Sequence, residues 1–115
     1  MNELFAYKIL TAAQFEQLKD EGIFRGAPVD LADGYIHLST RDQAAETAAK
    51  HFGGQDRLVL VMVDLAAFGD AIRWEPSRGG ALFPHLYGDL PLSAVAGKVV
   101  LRIGDDGLHQ FPAGF

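Results

Sequence analysis

Cysteine is absent from the 115-residue chain, which removes disulfides, thiol nucleophiles and thiolate metal sites together. Long apolar runs are also lacking. The longest, Leu58 to Val63, is strand-sized and far short of the roughly 20 residues that a membrane span needs. Basic residues are in deficit, 10 Lys and Arg against 15 Asp and Glu, and the formal net charge is −5 with no Lys/Arg run. That balance argues against an extended nucleic-acid surface, although it leaves room for a local anion site. The N-terminus lacks the basic and apolar regions of a signal peptide, so a cytoplasmic location is the expectation. No HExxH pattern, GxxxxGK[ST] loop, GxGxxG turn or GxSxG elbow occurs, and no metal is expected.

What is present predicts one folded domain over residues 1–115. With 49% hydrophobic and 10% aromatic residues, a chain of this length can build a core without staples. Leu4 to Leu10 predicts a strand with Phe5, Tyr7 and Ile9 on one face and Ala6 and Lys8 on the other. Thr11 and Gln14 match a capping box ahead of the stripe Ala12, Phe15 and Leu18, and Gly22 supplies a stop. Residues 24–33 mix Gly26, Pro28 and two aspartates, which predicts a loop. Gly34 to Leu38 predicts a strand with Tyr35 and His37 on one face. Thr40 and Gln43 then repeat the capping box before a second helix that ends at Gly53-Gly54.

The second half predicts mainly strands. Arg57 to Leu65 has the composition of a central strand covered on both faces. Ile72 and Trp74 alternate with Arg73 and Glu75, which predicts a strand whose charged side is solvated or internally paired. Pro76 to Gly80 predicts a loop, and Pro84 confines Ala81 to Tyr87 to an edge or irregular piece. Val95 to Ile103 is the last long strand. The order favours an α+β fold with about two helices.

Two histidines occupy constrained settings. His37 ends a strand just before a helix start, where free backbone amides, the hydroxyls of Ser39 and Thr40, and Arg41 could bind a phosphate or carboxylate. Equally, His37 could be a half-buried strand residue, with Ser39 and Thr40 only capping. His85 lies in Phe83-Pro84-His85-Leu86-Tyr87-Gly88, where an extended backbone would point His85 and Tyr87 to one side, as imidazole and phenol. The alternative there is an aromatic core corner. Arg78, in a loop freed by Gly79-Gly80, could swing over a ligand. His51, in a last helical turn, and His109, after an acidic turn, carry less signal.

The segments Asp33-Gly34-Tyr35-Ile36-His37-Leu38-Ser39-Thr40, Leu58 to Asp64, and Trp74 through Gly88 resemble the bacterial family catalogued as domain of unknown function 952. Ile36-His37-Leu38-Ser39, the alanine-bearing helix and the apolar strand ending at Asp64 are also similar to the RNA 2′-phosphotransferases of the ADP-ribosyltransferase superfamily. That likeness implies split antiparallel sheets with NAD in a cleft. The superfamily's characteristic positions would fall within Ala6-Tyr7-Lys8-Ile9, at His37, and near His85 to Tyr87. Joined to the residue reading above, it gives His37, His85 and Tyr87 as the expected catalytic residues, and Tyr7, Lys8, His37, Ser39, Thr40, Arg41 and Arg78 as those expected around the cofactor. Lys8 stands where many relatives carry His, which trades a planar ring for a point charge. No Glu stands where many protein ADP-ribosyltransferases orient the nicotinamide ribose.

The function expected is NAD or nucleotide binding with transfer or hydrolysis of ADP-ribose. Two other readings stay open: a non-catalytic module for a small nucleotide or anion, and an interaction protein that uses Phe83 and Tyr87.

Overall fold

The computed structural model describes residues 4–113 and 115, with the Arg78 side chain outside that description. In chain order its elements are β1 (Phe5–Leu10), α1 (Ala12–Glu21), β2 (Ile23–Phe24), α2 (Pro28–Asp33), β3 (Ile36–His37), α3 (Arg41–His51), β4 (Leu58–Asp64), β5 (Ile72–Pro76), β6 (Leu82–Leu86), β7 (Leu90–Pro91), β8 (Val95–Ile103) and β9 (His109–Gln110). They form a four-stranded sheet in the order β1-β4-β8-β9, a three-stranded sheet β3-β6-β5 and a small ladder β2-β7. Every ladder is antiparallel, and the fold is α+β.

The central strand β4 organises both sides of the large sheet. Its side chains alternate, so Val59, Val61 and Val63 pack with Ala6, Leu10, Phe15, Leu18, Ile36 and Leu86. Leu58 and Leu60 face the other way, onto Ile9, Ala44, Ala48 and Leu101. A strand apolar on both faces is stable only between two covering layers, and each fully buried Val or Leu contributes about 1.5–3 kcal/mol. The first layer also carries the three-stranded sheet, through Ile36 and Leu86.

The helix starts follow their local chemistry. The Thr11 hydroxyl accepts from Gln14 N at 3.1 Å, and the Gln14 side chain accepts from Thr11 N at 2.9 Å. Thr40 and Gln43 repeat the arrangement at 3.3 and 3.0 Å. Gly22, at φ 77°, ends α1 in the left-handed region that glycine enters without a Cβ penalty.

Residues 24–33 are not a plain loop: they hold β2 and a third helix, α2. Pro28 sits at the start of α2, where its missing N–H costs nothing, and the Asp30 carboxylate accepts from Ala27 N at 2.8 Å. The segment around Pro84 is not an edge either, since β6 is the middle strand of its sheet. Leu38 N donates to Pro84 O at 3.0 Å. Proline cannot return the second bond of that pair, and β3 stops at His37. The missing donor thus falls where the neighbouring strand ends.

Candidate functional site

Period-two alternation gathers the site on one face of the three-stranded sheet. Ile36 and Leu86 point into the core, so Tyr35, His37, His85 and Tyr87 point the opposite way. Register sets His37 of β3 and Arg73 of β5 on either side of His85 of β6. The rings form one cluster: Tyr35 stacks on His85 at 4.1 Å between centroids, with His37 4.7 Å and Tyr87 5.1 Å from Tyr35. The His37 and His85 rings are 5.5 Å apart, edge to face.

His37 is held from beneath by a buried ion pair. Asp30 Oδ1 lies 2.6 Å from His37 Nδ1 and accepts from His37 N at 3.1 Å. Lys8 Nζ lies 3.0 Å from Asp30 Oδ2 and 3.2 Å from Oδ1, and donates to His37 O at 3.0 Å. Burial pushes the Asp30 carboxyl upward, but the His37 hydrogen bond, the Lys8 charge and the backbone N–H groups of Ala27 and His37 outweigh it and hold the group at about 2. The Lys8 ammonium is pushed down by burial, against the pull of Asp30. On its outer side His37 Nε2 lies 2.9 Å from Asp33 Oδ2.

His85 is built differently. Its Nδ1 lies 2.8 Å from Glu75 Oε1, the oxygen that also accepts from the Tyr87 hydroxyl at 2.8 Å. These bonds hold the Glu75 carboxyl below its ordinary value, and the same carboxylate raises the Tyr87 phenol. Burial, with Asp33 and Glu75 nearby, raises the Tyr35 phenol. The Arg73 guanidinium lies 4.5 Å from the centre of the Tyr87 ring. Tyr35 also walls a cavity of about 220 Å³ lined by Arg25, Asp30, Gly34, Gly88 and Asp89.

Among the residues expected at a site, Lys8, His37, His85 and Tyr87 come together. Tyr7 lies on the opposite face of β1, its ring 5.1 Å from that of Phe115 and its hydroxyl 3.7 Å from Met62 S. Arg41 stands over Phe115, beside a cavity of about 430 Å³ that Asp42, Ala45 and Phe111 also line. The Ser39 hydroxyl is 2.9 Å from that of Thr47, and Thr40 caps its helix. The anion site imagined at the α3 start therefore has both hydroxyls already engaged. Arg78's side chain lies outside the described residues.

Sequence reasoning missed Asp30, Asp33, Tyr35 and Glu75 as members of the site. Tyr35 shares the His37 face by alternation, Asp33 is four residues before His37, and Glu75 alternates with Trp74, so each had a weak local signal. Asp30 had one in its place two residues after Pro28, where a carboxylate caps a helix start.

Solved structures share this fold. The crystal structure of protein CC0527 from Caulobacter crescentus is 50% identical, with a TM-score of 0.88 over 92% of this chain and 93% of that one. The solution NMR structure of CC0527 is 49% identical, with a TM-score of 0.84 over 94% and 93% of the two chains. No curated protein matches the chain significantly. With residues 9–98 matching its model, the chain belongs to the family described as protein of unknown function (DUF952).

Proposed function

We propose that the chain binds NAD, or a nucleotide related to it, on the Tyr35–His37–His85–Tyr87 face and transfers or hydrolyses its ADP-ribose. One observation carries the reading. The segments that the ADP-ribosyltransferase likeness singles out meet: Lys8 of β1 holds His37 O at 3.0 Å, and His37 lies 5.5 Å from His85.

The electrostatics favour one end of a dinucleotide on this face. Asp33 and Glu75 set carboxylates beside the rings, with Arg73 the cation on the Tyr87 side, and the carboxylates favour a cationic nicotinamide and the positive charge that develops on ribose as the glycosidic bond stretches. Tyr35 and Tyr87 offer aromatic surface for stacking, and His37 can donate to a ribose oxygen once Asp33 yields its place. Lys8 and Ser39 are poor phosphate contacts because their donors are engaged within the protein, and the Thr40 hydroxyl is occupied as the acceptor of its helix cap. Such a face works by orientation and electrostatic support.

A binding module without turnover is the second reading, favoured by His85, which lies almost wholly beneath Tyr35. Calorimetry with NAD, followed by mass spectrometry of the products, separates the two. Binding with released nicotinamide is the expected result. Binding without nicotinamide leaves the module reading, and no binding at millimolar NAD removes the NAD reading.

A further inference from the structure

We infer that Lys8 and Asp30 are positioning residues that supply the backbone rung His37 lacks beyond the Tyr7–Ser39 bridge, and that Lys8 serves the site through His37 and touches no ligand itself. The inference uses the proposed function only in taking His37 as the working side chain.

Backbone geometry is the starting point. Ile36 pairs with Leu86, and Leu38 N bonds Pro84 O, so residues 36 and 38 direct their backbone groups toward β6. His37, between them, directs its N–H and C=O toward the edge on which Ser39 exchanges two backbone bonds with Tyr7 of β1, and among the described ladders that pairing does not extend to His37. There Asp30 accepts the N–H at 3.1 Å and Lys8 donates to the C=O at 3.0 Å. Two side chains thus supply the rung that a neighbouring strand would give. The same carboxylate takes the His37 ring at 2.6 Å, so one ion pair fixes the backbone and the imidazole together.

Burial and inventory together argue against a ligand role for Lys8, whose side chain is 8% exposed. An ammonium has three N–H donors, and the oxygens around Lys8 number the same: Asp30 Oδ1, Asp30 Oδ2 and His37 O. Stability alone is a weak reason to bury such a pair, because well-packed apolar replacements are often as stable. Orientation of His37 is the property that apolar replacements cannot reproduce.

The test is NMR of the full chain. In the ligand-free wild type, the His37 Nδ1 proton is expected at low field and in slow exchange, with a protected His37 amide. Replacing the pair together, Lys8→Met with Asp30→Ala, should abolish the ring proton signal and speed His37 amide exchange by at least about tenfold, while Val61 in β4 stays protected. A folded double variant with both His37 signals unchanged overturns the inference. Should that variant not fold, Asp30→Asn alone must move the Nδ1 proton upfield, and no movement overturns it. Titrating the wild type with inorganic pyrophosphate, and separately with NAD, should leave the Lys8 Nζ signal in place. A Lys8 Nζ shift with either probe contradicts the inference. Absence of any shift with NAD counts against the nucleotide reading alone, since the ligand-free signals decide the positioning role.

Discussion

The two histidines of the site are mirror cases of one device. His37 has a side chain 30% exposed, oriented by a carboxylate that is 1% exposed. His85 is 3% exposed, oriented by a carboxylate that is 34% exposed. In the first pair the anchor is buried and the ring reaches outward; in the second the ring is buried and the anchor reaches outward. The imidazole of His37 can therefore meet a ligand, whereas His85 supports Tyr35 and passes its orientation to Glu75 and Tyr87. Similar residue types, placed on neighbouring strands, acquire different work from the depth of their partners.

The buried anchor can be broken most severely by removing its counter-charge. Lys8→Met leaves Asp30 ionised in the interior without its ammonium partner, held only by His37 and two backbone N–H groups, and the expected loss is roughly 3 kcal/mol in urea unfolding. Removing Asp30's charge by acid is a milder route. Its folded value of about 2 lies below the ordinary 3.8, so its contribution is present above the unfolded value and disappears as pH falls through the folded one. Stability measured by urea unfolding should drop by about 2 kcal/mol between roughly pH 5 and pH 1 from this group. A chain whose stability is flat over that range lacks the anchored carboxylate.

The exposed anchor should matter least to folding and most to its neighbours. Glu75→Gln removes the charge that raises the Tyr87 phenol, so that phenol should titrate closer to its ordinary value. Ultraviolet titration of the variant against the wild type reads this directly. An unchanged Tyr87 would mean that Glu75 is not its partner in solution.

Much of this was legible in the chain wherever the signal was local. Both capping boxes, the Gly22 stop and the two-sided apolar run of β4 depend on neighbours a few residues apart, and they appear as expected. The short helix α2 was hidden because six residues are too few for a periodic stripe, while Gly26 and Pro28 look like breakers. The place of Pro84 depended on how far β3 continues, which no local pattern records. The site divided in the same way. Alternation alone puts Tyr35 with His37, but the Lys8–Asp30 pair joins residues 22 apart and the Glu75–His85 pair needs the β5–β6 register. Tyr7 and Lys8 were separable by alternation alone: adjacent in sequence, they serve opposite faces of one sheet.

The division of labour between the two rings is tested most directly by nicotinamide release from NAD in His37→Ala. If His37 is the outward, working ring, release falls at least about 100-fold, the scale of losing one preorganised hydrogen-bond donor to the transition state, while the variant keeps its fold. A folded His37→Ala protein that releases nicotinamide at the wild-type rate contradicts it.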